Sequence, residues 1–368
     1  MTVIIFLIIL AILVLVHEFG HFIAAKKSGI RVDEFGIGFP PKLFSWKPKK
    51  SETRYSINMI PFGGYVKIFG ETPDGESISG PDSKRSFVNR PRYIQVWVLA
   101  AGVIFNIIFA WLLITTGFLV GLPTIVDDSN IEYIRDAELT ITQVLPESPA
   151  ELSGLKVGDR ILDVSGIKRE QLPSLTGDEV SNAIADSDGE EFTLTYRRGA
   201  TNAPITISLI AEEGIIENDV AIGIGMDQIG LVRYPLSRAV IEGTKTTGNL
   251  LLAITVGLTD FIVDTVSGNA DFSEVSGPVG IVGLVGEASD LGLIYLLSFT
   301  ALISLHLAVL NLIPFPALDG GRILFVIIEA IIRRPINPRI QNWVNGIGFA
   351  LLILLMVIVT YKDIAKLF

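Results

Sequence analysis

Four long stretches of the chain are almost entirely apolar and nearly free of charge. They occupy residues 3–25, 94–121, 293–313 and 344–361. Each reaches the roughly 20 residues that a membrane-spanning helix needs. The first stretch lacks the basic start and the small-residue cleavage site of a secretory signal, so we predict that it is retained. The pattern predicts a multi-pass α-helical membrane protein with about four transmembrane helices.

The pattern changes between these stretches. Residues 31–70 mix short apolar runs with Gly, Pro and aromatic residues, which is typical of strands and turns. Backbone of this kind is tolerated at membrane depth only where protein covers it or where it lines a wet cavity. Residues 236–292 allow two interpretations, a peripheral amphipathic helix or a re-entrant one.

Residues 127–213 have the pattern of a separate soluble module. Strands around the short helix "SPAELSG" are followed by the alternating runs "EFTLTYRR" and "PITISLI", which are typical of half-buried strands. This length suffices for one small β-rich domain. We therefore expect a membrane core at residues 1–121, the inserted module, and a second membrane core at residues 214–368.

Charge is distributed unevenly along the chain, whose formal net charge is −10. Basic residues predominate in residues 26–92 and again in residues 322–343, whereas residues 122–292 are strongly acidic. Under the positive-inside rule the basic regions are cytoplasmic and the acidic region is extracytoplasmic. We expect a protein of the inner (plasma) membrane, with no nucleic acid among its partners because the acidic region has no basic patch.

His17, Glu18 and His21 lie in the second half of the first apolar stretch. On a helix, His17 and His21 are one turn apart on nearly one face, and Glu18 lies about 100° round from His17. This spacing is typical of zinc metalloproteases, in which the glutamate acts on a metal-bound water. The alternative is a set of structural polar residues satisfied by neighbouring helices. The cost of ionisable groups inside a membrane favours the functional interpretation.

A tetrahedral zinc site needs a further protein ligand, and the chain contains no cysteine. Asp319 follows Pro314 and Pro316 and precedes two glycines, so a broken helix could direct it back among the helices. The alternative is that Asp319 caps a helix starting at residue 321 or 322. His306, in the apolar run itself, is a rival ligand or a residue bonded to a backbone carbonyl.

Together these residues resemble the site-2 protease family of intramembrane zinc metalloproteases, in its RseP-like bacterial branch. "HEFGH" is similar to the zinc-binding motif of the first family helix and "NLIPFPALDGG" to the motif of the third. "FGIGFPP", "PFGGYVKIFGE" and "AAGVIFN" resemble three further family elements, although Val103 stands where proline is usual. The resemblance implies that Zn²⁺ is held by His17, His21 and Asp319 and that Glu18 is catalytic.

The resemblance also implies how substrate is held. A membrane-reentrant β-hairpin at about residues 55–70 would present the substrate as a strand, and residues 127–213 would be a single PDZ-like domain. That domain would either bind an exposed C-terminal peptide or act as a gate that excludes untrimmed substrates. The implied substrate-binding residues are Asn106, Asn311, His306, Phe62, Gly63, Gly64 and Tyr65.

The function implied is cleavage, within the lipid bilayer, of transmembrane segments of single-span membrane proteins or of remnant signal peptides. A catalytically inactive membrane scaffold or chaperone that binds partners through the PDZ-like domain is the alternative. An ion or metal transporter is a third class, but the sequence shows no repeated pair of broken helices of the kind found in transporters.

Overall fold

The computed structural model describes residues 1–127, 130–165, 176–187, 189–199, 203–216, 219–269 and 275–365. The chain divides into two compact units. Unit 1 comprises Met1–Ile114, Gly243–Gly286 and Phe299–Phe368. Unit 2 comprises Thr115–Glu242 and Glu287–Ser298.

Ten α-helices lie within the described residues. They are α1 Thr2–Lys27, α2 Gly75–Ser79, α3 Arg92–Val120, α4 Pro149–Leu152, α5 Gly177–Ala185, α6 Leu236–Ser267, α7 Pro278–Leu291, α8 Leu293–Leu312, α9 Asp319–Ile332 and α10 Pro338–Ala365. Ten strands accompany them. They are β1 Val32–Trp46, β2 Arg54–Ile68, β3 Leu122–Ile125, β4 Ile134–Val144, β5 Arg160–Ser165, β6 Glu191–Arg197, β7 Ile205–Ile210, β8 Glu212–Ile216, β9 Asp219–Ala221 and β10 Ile224–Val232.

Within the described residues, five helices are long and apolar enough to cross a membrane, namely α1, α3, α6, α8 and α10. The sequence predicted four of these, and the additional candidate is α6. The sequence left this segment, within residues 236–292, as a peripheral amphipathic helix or a re-entrant one, and the length and apolar composition of α6 add it to the candidate spans. The hydroxyls of Thr255, Thr259 and Thr265 each donate to the carbonyl four residues earlier.

In unit 1, α1 and α3 approach each other closely. A Cβ built on Gly20 would lie 2.4 Å from the carbonyl oxygen of Ala101, so only glycine permits this crossing. One turn further along α1, Ala24 and Ala25 pack with Val98 and Leu99 in a buried apolar cluster. Small residues of α1, namely Gly20, Ala24 and Ala25, thus let α3 approach closely, as is typical of packing in a membrane, where lipid supplies no hydrophobic driving force.

Two long strands of unit 1, β1 and β2, form a sheet of their own. Residues 34–37 pair with residues 64–67 on one side and with residues 54–57 on the other. The predicted hairpin at 55–70 is therefore wrong in its bounds: its residues pair with β1 rather than with one another. Glycine permits this arrangement, because the ring of Tyr65 lies where a Cβ on Gly36 would be.

Unit 2 contains a six-stranded sheet in the order β3-β10-β4-β5-β6-β7. Its core includes Leu139, Ile141 and Leu194, all of them buried. The four runs predicted as strands correspond to β4, β5, β6 and β7, and the short helix corresponds to α4. The sheet also includes β3 and β10, which lie outside the predicted boundaries of 127–213.

Candidate metal centre

Three side chains from α1 and from the start of α9 converge on one point in unit 1. Nε2 of His17 lies 2.9 Å from Oδ2 of Asp319, and Nε2 of His21 lies 3.3 Å from the same oxygen. The two Nε2 atoms are 3.1 Å apart. The rings meet edge to face with centroids 4.8 Å apart, as the four-residue spacing on one helix predicts.

The triangle formed by these three atoms fits a zinc ion. Tetrahedral zinc binds nitrogen and oxygen at about 2.0–2.2 Å, so neighbouring ligand atoms are separated by about 3.3 Å. The observed sides of 2.9, 3.1 and 3.3 Å are close to this value. Three protein ligands leave the fourth position open, which is the arrangement of catalytic rather than structural zinc sites.

The hydrogen bonds of the two imidazoles favour metal binding through Nε2. Nδ1 of His21 donates to the carbonyl oxygen of Val98 at 2.8 Å, which leaves the lone pair of Nε2 directed at Asp319. Nδ1 of His17 lies 3.3 Å from the side-chain amide of Asn106, whose own oxygen is buried without a partner. Turning that amide over would let its oxygen accept from Nδ1 of His17, which gives each of these two atoms a partner.

Gly102 of α3 forms the floor under the two histidines. A Cβ at this position would lie 2.5 Å from Nε2 of His21 and 2.7 Å from Nε2 of His17. Any side chain at residue 102 would therefore occupy the space that the metal-binding atoms need.

Asp319 reaches the histidines because the chain breaks sharply between α8 and α9. Ala317 has a positive φ of 77°, and its N–H donates to Oδ1 of Asn345. A Cβ on Gly320 would lie 2.2 Å from the carbonyl oxygen of Leu312, so the turn requires glycine there. Helix α9 begins at Asp319 itself, with Leu318 at the N-cap position and no side-chain cap. The alternative that Asp319 caps a later helix is therefore wrong.

A cavity of about 250 Å³ adjoins the three converging side chains. Glu18, Asn106 and Asn311 also line it, together with apolar residues of α1 and α8. The Glu18 carboxylate accepts a hydrogen bond from the backbone N–H of Val66 at 3.0 Å. The cavity thus combines a metal-binding set with a carboxylate and an amide, which is the equipment for metal-assisted hydrolysis of a polar bond.

Other residues predicted for the site lie elsewhere. His306 is exposed, and its Nδ1 donates to the carbonyl oxygen of Leu302 on its own helix, so it is not part of the converging set. The hydroxyl of Tyr65 donates to Glu34 within the β1–β2 sheet. The side chain of Phe62 lies outside the described residues.

Two predicted glycines lie along α1, close to Glu18. A Cβ on Gly63, whose φ is 81°, would lie 3.3 Å from the Val14 side chain, and one on Gly64 would lie 3.8 Å from Cγ of Glu18. Asn106 is 1% exposed, contacts His17 and also lines the cavity, so its predicted role toward a substrate stays a prediction.

Sequence reasoning missed three groups at the site: Gly102 and the backbones of Val98 and Val66. The signal for Gly102 was available, since a glycine inside an apolar helix costs about 1 kcal/mol and implies a close approach. The Val98 carbonyl and the Val66 N–H left no signal, because every residue other than proline carries the same backbone groups.

Comparison with known proteins agrees with this geometry. The model of peptidase family M50 matches residues 5–355. A relative from Clostridium perfringens named as a zinc metalloprotease is 36% identical, over 99% of this chain and 98% of its own length. Regulator of sigma-W protease RasP from Bacillus subtilis is 31% identical, over 100% of this chain and 99% of its own length. Zinc metalloprotease RasP from Geobacillus kaustophilus is 29% identical, over 100% of this chain and 98% of its own length. The chain therefore belongs to peptidase family M50, the site-2 proteases, and is a zinc metalloendopeptidase of multi-pass membrane architecture.

Proposed function

We propose that this protease cuts transmembrane segments of single-span membrane proteins, or remnant signal peptides, at a zinc ion held by His17, His21 and Asp319. The observation that carries the proposal is the convergence of these three side chains, from α1 and α9, within 3.3 Å of one another. The name of the Bacillus subtilis relative, a regulator of sigma-W, favours a regulatory membrane protein as substrate.

Each residue has a separate task in this proposal. Zinc, when bound, lowers the pKa of a coordinated water and polarises the scissile carbonyl. Glu18 lines the same cavity and is the general acid/base: it accepts the proton of the attacking water and passes it to the leaving amine. Val98 and Asn106 hold the two imidazoles in orientation. Asn311 lines the cavity on the α8 side, where it can donate to the substrate backbone.

The site also constrains how the chain crosses the membrane. Its residues lie near the C-terminal end of α1, in the first half of α3 and just beyond the end of α8. Helices α1 and α8 therefore run in one direction and α3 in the other, so the chain between α3 and α8 makes no net crossing. If α6 crossed the membrane, residues 268–292 would have to cross it again in the opposite direction to reach the start of α8.

Among the described residues of that segment, the helix is α7, which is too short to cross the membrane. The 14 residues of α7 span about 21 Å, which is short of the roughly 30 Å hydrocarbon core. We infer that α6 lies along the membrane rather than across it and that four helices span it. The positive-inside rule, applied to the basic loops, supports a site towards the cytoplasm of a plasma-membrane protein, with the acidic unit 2 extracytoplasmic.

Substrate presentation follows from the β1–β2 sheet. A transmembrane helix hides its carbonyls, and an unwound segment needs replacement hydrogen bonds that lipid cannot provide. Residues 64–68 lie at an edge of the sheet, beside Glu18. An unwound substrate segment would add to this edge as a further strand.

Unit 2 is proposed to be a PDZ-like gate that excludes substrates with untrimmed extracytoplasmic domains. The N–H of Val126 donates to the carbonyl of Gln228 at 2.8 Å, so residues 127–227 can be excised and the ends joined by a short Asn-Gly turn. A gate predicts that the excised variant cleaves untrimmed substrates. Loss of activity on trimmed substrates would instead indicate recruitment through a C-terminal peptide.

The function is tested by the Glu18→Gln variant, reconstituted with a single-span substrate. We expect zinc content near that of the wild type and a cleavage rate lower by about 10³-fold, since a positioned general acid/base contributes this order of rate. Full zinc content together with a wild-type rate would contradict the proposed role. His306→Ala is the comparison variant on α8, because His306 lies outside the cavity lining.

A further inference from the structure

The edge of the β1–β2 sheet carries backbone groups that alternate in direction. Val66 pairs with Phe35 on the inner side. Just beyond the strand, the N–H of Phe69 donates inward to the carbonyl of Arg31 at 2.9 Å. Because successive residues of an antiparallel strand point their N–H groups to opposite sides, residues 65 and 67 also point inward. The N–H groups of residues 64, 66 and 68 therefore point outward.

Glu18 occupies the central one of these outward positions. Its Oε2 accepts from the N–H of Val66 at 3.0 Å. A Cβ on Gly64 would lie 3.8 Å from Cγ of Glu18, so the carboxylate lies along the strand rather than beyond its end. A hydrogen bond from a backbone N–H to a carboxylate is among the stronger kinds in proteins.

The same N–H is required for substrate pairing. A strand that adds to residues 64–68 must place a carbonyl on the N–H of Val66, which is the middle donor of this edge. One N–H makes one well-aligned hydrogen bond, so the substrate carbonyl and the Glu18 carboxylate compete for it.

We propose that the Val66 N–H is a positioning group that exchanges acceptors: it holds Glu18 in the resting protease and releases it when a substrate strand pairs with the edge. This inference rests on the proposed function and names a consequence of it. Pairing and catalysis become coupled, because Glu18 is free to act on water only when an unwound segment has taken its place. Peptides too short to pair as a strand are then cut slowly, even if they reach the zinc.

The test uses Val66→Pro in the full-length, zinc-loaded protein. Proline removes the N–H, and it is tolerated at a strand edge where that N–H points out of the sheet. Two substrates are compared, a single-span membrane protein and a fluorogenic peptide of four residues. We expect the short peptide to be cut about tenfold faster and the membrane substrate about tenfold more slowly, so the ratio of the two rates changes about 100-fold. Val66→Ala, which retains the N–H, is expected to change both rates by one common factor.

Two kinetic results would overturn the inference. One is a rate ratio in Val66→Pro that stays within about twofold of the wild-type ratio. The other is a change of ratio in Val66→Ala as large as that in Val66→Pro. Failure of the proposed function is distinguishable, because the wild-type protein would then cut neither substrate with zinc bound.

Amide hydrogen exchange tests the contact without relying on activity. In Glu18→Ala we expect the Val66 amide to exchange about tenfold faster than in the wild type. The amides of Tyr65 and Lys67 should be unchanged, because these residues pair with Gly36 and Glu34 and the alternation of the strand points their N–H groups inward. If the Val66 amide exchanged at the same rate in Glu18→Ala as in the wild type, the proposed contact with Glu18 would be contradicted, whatever the cleavage kinetics showed.

Discussion

Two carboxylates, one in each compact unit, differ in what surrounds them: Asp319 is half-buried and Asp159 is fully buried. Asp319 in unit 1 faces Nε2 of His17 and Nε2 of His21 at 2.9 and 3.3 Å. Asp159 in unit 2 receives two hydrogen bonds from the guanidinium of Arg198, each at 2.7 Å. The surroundings of Asp159 are donors, whereas a neutral His21 presents a lone pair to Asp319.

The difference separates a structural ion pair from a metal site. Asp159 also accepts from the N–H of Lys156, so its charge and both of its oxygens are satisfied by protein alone. Around Asp319, when both imidazoles are neutral and carry their proton on Nδ1, three acceptor atoms face one another, and a cation between them stabilises all three. The Asp319 side chain is 15% exposed and that of Asp159 only 1%, so burial does not single out the metal site, and the identity of the partners distinguishes the two carboxylates.

The largest expected effect comes from removing the carboxylate at the metal site. Asp319→Ala leaves two histidine ligands, and we expect bound zinc to fall from about one ion per chain to almost none. Loss of several kcal/mol of transition-state stabilisation corresponds to a rate lower by about 10³-fold or more. Metal analysis of the purified protein, alongside cleavage of a single-span substrate, measures both. A variant that keeps stoichiometric zinc would contradict the ligand assignment.

Gly102→Ala is expected to have the next largest effect. The added methyl group would lie within 2.7 Å of both Nε2 atoms, so the imidazoles must move from their metal-binding positions. We expect zinc affinity to fall by about 100-fold, measured by competition with a chelator. Gly346→Ala in α10 is the matched control, since nothing lies within 4 Å of its added Cβ. Equal zinc affinities in the two variants would show that a methyl group at residue 102 does not displace the histidines.

Asn106 tests the orientation of His17 and should have a smaller effect. Asn106→Ala removes the group beside Nδ1 of His17, and loss of such a supporting contact lowers metal affinity by about tenfold. Asn106→Asp keeps an oxygen at this position and should retain most of the affinity. If the alanine variant binds zinc as tightly as the wild type, the contact does not orient the imidazole.

Polar and ionisable side chains that cost free energy in an apolar stretch were predictable from the sequence. His17 and His21 have the spacing of a metal pair, and Asp319 lies between helix-breaking prolines and glycines. The β1–β2 sheet was predicted as strands but with the wrong pairing, because register depends on contacts such as that of Tyr65 with Gly36, far apart in the chain. The Val66 N–H was unpredictable for the same reason, since its position depends on that register.

The smallest effect on zinc is expected from a change at the structural ion pair of unit 2. Arg198→Ala leaves Asp159, which is fully buried, with an uncompensated charge. Because hydrogen bonds to charged groups contribute about 1.5–3 kcal/mol each, and the guanidinium is partly exposed, we expect the free energy of unfolding of unit 2 to fall by about 2 kcal/mol. Limited proteolysis of unit 2 in increasing urea measures this change, with zinc content measured in the same preparation. Zinc should stay at the wild-type level, because the ion pair and the metal ligands belong to different units. Joint loss of unit 2 stability and of zinc would mean that the two carboxylates are energetically coupled.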